Sequence, residues 1–91
     1  MAEFLVEFYV PRTDDAAVKR GAANARRAAQ KLTREGTPVR YLRSIFVPED
    51  EICFYLYEAE TAEIVREAAR RAQLSYERVT AAFGEPRRAA K

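Results

Sequence analysis

Phe4, Val6, Phe8 and Val10 alternate with Leu5, Glu7 and Tyr9, the two-residue period of a strand over Glu3 to Val10, and Pro11 ends it. Thr13 and Asp14 offer N-cap oxygens. From Asp15 to Glu35 the stripe Val18, Ala22, Ala25, Ala29, Leu32 recurs at spacings of four and three, one face of a helix that Gly36 closes. Val39 to Val47 again reads as a strand, Pro48-Glu49-Asp50 as a short turn, and Glu51 to Tyr57 as a third strand forming a hairpin with the second. Thr61 caps a second helix with Ile64, Val65, Ala68, Ala69 and Ala72 inward. A last strand runs from about Tyr76 to Phe83, with Gly84-Glu85-Pro86 as its stop.

The order β-α-β-β-α-β predicts an α+β fold of the ferredoxin-like kind, a four-stranded antiparallel sheet with both helices on one face. It makes a single domain over 1–86, with 87–91 a flexible basic tail. Alanine-faced helices sit close to the sheet, so bulk must come from strand residues such as Phe4, Phe8, Phe46, Phe54 and Leu56. The other sheet face is left without cover.

One charge bears on which residues occupy that open face. An unpaired Arg43 guanidinium beneath the helices costs several kcal/mol, so Arg43 is expected to point away from them. Strict alternation then places Tyr41 and Ile45 beside it. A three-residue turn sets Arg43 opposite Tyr55, Ile45 opposite Cys53 and Tyr41 opposite Tyr57. With Leu5, Glu7 and Tyr9 from the first strand, this face is too apolar to stay in water. A second copy of the chain is its expected cover, giving a homodimeric α+β barrel that encloses a small ligand.

Composition narrows the chemistry. The 91 residues contain no histidine, which removes the Ser-His-Asp triad, Cys-His pairs, imidazole acid-base work and His-containing metal sites. The single cysteine, Cys53, needs no oxidising compartment, and the acidic start and short apolar runs match neither a leader nor a membrane span, so a cytoplasmic, membrane-free location is expected. Lys and Arg number 16 against 14 Asp and Glu. That modest excess, the missing RNP1 glycines in Glu-Ile-Cys-Phe-Tyr-Leu-Tyr-Glu, and the negative Glu7 all argue against a nucleic-acid partner.

The individual side chains admit two readings each. Glu7 can act as a base or metal carboxylate, or simply pair with Arg43. Arg43 can clamp a ligand's carboxylate or hold Glu7. Cys53 can be a soft metal ligand, or a small buried hydrophobe, since no neighbouring Lys lowers its pKa. Acidic residues at the helix starts and Lys31, Arg34, Arg70 and Arg71 at the ends follow the macrodipole, and Glu49-Asp50-Glu51 reads as a solvated hairpin tip.

Tyr55-Leu56-Tyr57-Glu58-Ala59, then Ile64 through Ala72 and Leu74-Ser75-Tyr76-Glu77-Arg78-Val79, resemble a family of small bacterial nickel-binding-protein-like chains. Val39 to Ser44 and Phe4 to Glu7 fit its first two strands. The resemblance implies a ferredoxin-like dimer and nickel as the cofactor. Arg43 stands where members often carry histidine, and Tyr55 where they often carry cysteine. A guanidinium has no lone pair for a metal. The expectation is therefore a homodimeric binding protein, with a small anionic or aromatic ligand held by Glu7, Tyr41, Arg43 and Tyr55, or a metal held by Glu7 and Cys53. The alternative is a dimeric barrel enzyme, a cofactor-free oxygenase, isomerase or cyclase, in which Glu7 or a tyrosine moves the proton.

Overall fold

A computed structural model describes residues 1–84. The chain runs β1 (Ala2–Tyr9), α1 (Asp15–Arg34), β2 (Val39–Val47), β3 (Ile52–Ala59), α2 (Ala62–Arg71) and β4 (Arg78–Ala82), with a single 3-10 turn at Pro48–Asp50 between β2 and β3. The strands form one antiparallel sheet in the order β2-β3-β1-β4, and both helices pack on the same side. This is the expected ferredoxin-like α+β architecture. The stop at Glu85-Pro86 and the basic tail lie outside the described residues.

Local chemistry sets the helix ends. The Asp14 carboxylate accepts from the Ala17 N–H, and the Thr61 hydroxyl accepts from the Ile64 N–H. At the far end of α1, Gly36 takes φ +106°, and the Thr37 and Gly36 N–H groups return to the Leu32 and Thr33 carbonyls. At the end of α2 the same paired bonds run from Leu74 to Ala69 and from Gln73 to Arg70, with Gln73 at φ 61°. A glutamine pays a steric penalty there that glycine avoids. Gln73→Gly should accordingly raise stability by about 0.5–1 kcal/mol, read as a higher urea midpoint at unchanged slope.

The hairpin departs from expectation by one residue, with large consequences. Glu51 adopts a left-handed conformation and belongs to the turn, which therefore spans four residues and pairs Val47 with Ile52. A bulge between Tyr41 and Arg43 absorbs Leu42, so the Tyr41–Tyr57 pair survives as expected while Arg43 lies opposite Leu56, not Tyr55, and Ile45 opposite Phe54, not Cys53. A slip of one flips every side chain. Cys53, Tyr55 and Tyr57, expected on the open face, lie beneath the helices with none of their surface exposed, and Tyr41 turns to the same side. Phe54 and Leu56, expected inward, face out.

Across the sheet the helix-side rows are Val39-Ala59-Ala2, Tyr41-Tyr57-Phe4, Ser44-Tyr55-Val6 and Phe46-Cys53-Phe8. Over them sit Val18, Ala25, Ala28, Ala29 and Leu32 of α1 and Val65, Ala68 and Ala69 of α2. The open rows are Arg40-Glu58-Glu3, Arg43-Leu56-Leu5, Ile45-Phe54-Glu7 and Val47-Ile52-Tyr9. Nor is Glu51 a freely solvated tip residue. Its carboxylate accepts from the Arg12 N–H at 2.8 Å and its carbonyl from the Val10 N–H at 3.1 Å, tying the hairpin to the exit of β1.

Candidate functional site

The register divides the residues singled out from the sequence between two faces. Glu7 and Arg43 remain on the open side, two strands and one row apart. Glu7 is not held by Arg43: its Oε1 accepts from Arg78 Nε at 2.9 Å, from the cross-strand partner on β4. Arg43 is exposed and enters no ion pair among the described residues. The pairing of Arg78 with Glu7 has no local signal in the sequence, because it depends on where β4 docks.

Beneath the helices, Tyr41, Tyr55, Tyr57 and Phe8 form an edge-to-face cluster with centroid separations of 4.7 to 5.7 Å. The Tyr55 hydroxyl donates to the Val18 carbonyl at 2.7 Å, reaching the α1 backbone where Gly21 leaves no side chain in its way. A lone glycine amid alanines in mid-helix is a sequence sign of such a close approach. The Tyr57 hydroxyl is buried without a hydrogen-bond partner. Burial pushes the Tyr55 and Tyr57 phenols far above their ordinary range and raises that of Tyr41. All three are neutral donors near pH 7.

Burial also pushes the Cys53 thiol up to about 11. A thiol that is both sealed and protonated is a poor nucleophile and a poor ligand. Native protein should be inert to a disulfide exchange reagent over hours, with one thiol released on denaturation; rapid reaction of the folded chain would contradict this burial. Glu7 and Cys53, proposed from the sequence as a metal pair, lie on opposite faces of the sheet.

A groove of about 590 Å³ opens between α1 and the edge strand β2, with the half-buried Tyr41 in its wall. The Arg26 guanidinium lies 5.1 Å from the Tyr41 ring centroid. The Thr33 hydroxyl donates to the Val39 carbonyl at 2.8 Å and accepts from the Val39 N–H at 3.0 Å, fixing β2 to the helix at one end of the groove. Sequence reading missed Arg26, whose ring partner is brought to it only by packing.

Residues 4–81 match the family described as nickel responsive protein SCO4226-like. The chain belongs to that family. The crystal structure of SCO4226 from Streptomyces coelicolor A3(2) shares its fold, with TM-score 0.65 over 93% of this chain and 100% of that one, at 17% identity. No curated protein matches it. Against that family description the donor inventory of the chain is poor in metal ligands. It holds no imidazole, its one thiol is buried, and among the described residues no group of three or more Cys, Asp or Glu side chains comes together to hold a metal. This donor set does not fit nickel, which favours nitrogen and sulfur ligands. Among the described residues no helix is long and apolar enough to cross a membrane.

Proposed function

We propose that this member of the nickel responsive family is a homodimeric small-ligand-binding protein, two copies joined through their open sheet faces. The observation that carries the reading is the content of that face. Leu5, Ile45, Val47, Ile52, Phe54 and Leu56 form a contiguous apolar patch across β2, β3 and β1, and Glu3, Glu58, Arg40, Arg43 and the Glu7–Arg78 pair stand around it. An apolar centre with a charged rim is the anatomy of a protein interface. The flipped hairpin makes the patch more apolar than the tyrosine face expected from the sequence, so the case for a second copy strengthens although the enclosed tyrosine pocket is gone. Two-fold pairing of identical patches is the simplest way to cover it.

Sedimentation equilibrium at micromolar concentration tests this. The wild-type chain should run at twice its mass and Phe54→Arg at its single mass with unchanged far-UV circular dichroism. A monomeric wild type would defeat the proposal. Catalysis by Glu7 finds less support, because its carboxylate is already engaged by Arg78.

A further inference from the structure

We propose that the groove between α1 and the β2 edge is a binding site for a small organic anion, a carboxylate or phosphate carried on a flat apolar body. The inference names the ligand class for the binding function proposed above and rests on that reading, but not on the dimer. The groove lies on the helix side of the sheet, so it stays open when the opposite faces pair.

The charge of the site comes from the helix. α1 carries Lys19, Arg20, Arg26, Arg27, Lys31 and Arg34 against the single acid Asp15. Arg26, Gln30 and Arg34 are spaced by four, so they form one stripe along the groove. No acidic residue lines it. Arg40 on the opposite wall is already taken by Glu58 at 3.2 Å, whereas Arg26 and Arg34 enter no ion pair among the described residues. Two guanidiniums, with the Gln30 amide between them in sequence, make a donor set for planar oxyanions.

Preorganisation comes from the strand. Tyr41 supports the Arg26 guanidinium, and Tyr55 and Tyr57 pack edge-on against Tyr41 and hold its ring in place. An arginine held this way loses little conformational freedom when it binds. The half-buried Tyr41 ring and the aliphatic stems of the lining arginines supply the apolar surface for the ligand's body. About 590 Å³ is within the usual range for small-molecule sites.

The larger cleft between the helix ends is a weaker candidate because the acid Glu35 lines it and two of its four cations, Arg70 and Arg71, are already paired, leaving only Arg27 and Lys31 without an ion pair among the described residues. Glu67 accepts from both Arg70 and Arg71, which pull its carboxyl down to about 2, and Glu35 accepts from Arg71 at 2.8 Å.

The test is a titration of the isotope-labelled full chain with phenyl phosphate, benzoate and inorganic phosphate, followed by amide chemical shifts. Phenyl phosphate or benzoate should move the signals of Gln30, Arg34, Val39 and Tyr41, and inorganic phosphate should bind at least about tenfold more weakly because it lacks the apolar body. Arg26→Gln and Arg34→Gln should each weaken binding about tenfold, the loss of one charge-assisted hydrogen bond, while Lys31→Gln should not. Among the described residues the Arg34 side chain makes no hydrogen bond and no ion pair, so its variant reports on the ligand even if Arg26→Gln loosens Tyr41. Saturable shifts centred on Lys31, Arg71 and Gln73, equal affinity for inorganic phosphate, or no saturable shifts with any of the three would overturn the site. A chain that binds none of these anions yet sediments as a dimer would lose the groove and keep its interface; one that binds but stays monomeric would do the reverse.

Discussion

Gly21→Ala is expected to destabilise the protein by about 2 kcal/mol, although alanine is the better helix former by about 1 kcal/mol. A Cβ at this position overlaps the Tyr55 hydroxyl. The ring is fully buried, with Phe8 and Tyr41 against its edges, and the hydroxyl is fixed by its bond to the Val18 carbonyl, so it has nowhere to retreat. The methyl either pushes α1 off the sheet or displaces the hydroxyl and breaks that bond, a loss of about 1 kcal/mol in addition to the overpacking. In a Tyr55→Phe background the obstacle is gone. The nearest remaining ring atom, Cζ, sits 3.3 Å from the Cβ, a close contact that the helix gain offsets. Urea unfolding of the four proteins in this cycle should return a coupling of about 2 kcal/mol between the two sites. Additive effects would mean that the close approach of α1 to β3 is wrong.

Removing the neighbouring hydroxyl should have the opposite sign from removing that of Tyr55. Tyr55→Phe breaks a buried hydrogen bond of 2.7 Å and should cost about 1 kcal/mol. Tyr57→Phe breaks none, because the Tyr57 hydroxyl is buried and unpartnered, so the substitution removes a desolvation penalty and should stabilise by about 1–2 kcal/mol. The change also has a pH signature. Burial raises the folded-state pKa of Tyr57 above its ordinary 10.0, so in alkaline solution the unfolded chain deprotonates first. The stability tied to the neutral phenol is complete below pH 10 and falls as pH rises beyond it. Tyr57→Phe should therefore show a shallower alkaline decline than wild type in urea midpoints measured on both sides of pH 10. A destabilised variant with an unchanged alkaline slope would contradict the burial of this hydroxyl.

The same two tyrosines show where local pattern stops being informative. On β1 the alternation is one-sided, with Phe4, Val6 and Phe8 against Glu7 and Tyr9, and its inward face was legible. On β3 both alternating sets are apolar: Cys53, Tyr55 and Tyr57 on one side, Ile52, Phe54 and Leu56 on the other. Hydrophobicity alone cannot rank them. Arg43 faces away from the helices as its charge requires, but its face extends back to Tyr41 and across to Tyr55 only along an unbroken ladder, and the bulge at Leu42 and the fourth turn residue Glu51 each shift the count by one.

Element order, helix caps, the alanine-lined helix faces and the exclusion of imidazole chemistry are local properties, set by neighbours a few residues apart, and a reader of the chain alone obtains them. The register of β3 and the sealing of Cys53 are not local in this sense, and neither are the Glu7–Arg78 contact and the seat of Arg26 on Tyr41, which join residues 71 and 15 positions apart. Those depend on how elements dock. Two alanine-faced helices leave a layer thick enough for tyrosine rings, and a glycine in α1 admits the hydroxyl of one of them, so the packing of the whole selects the face that hydropathy left undecided.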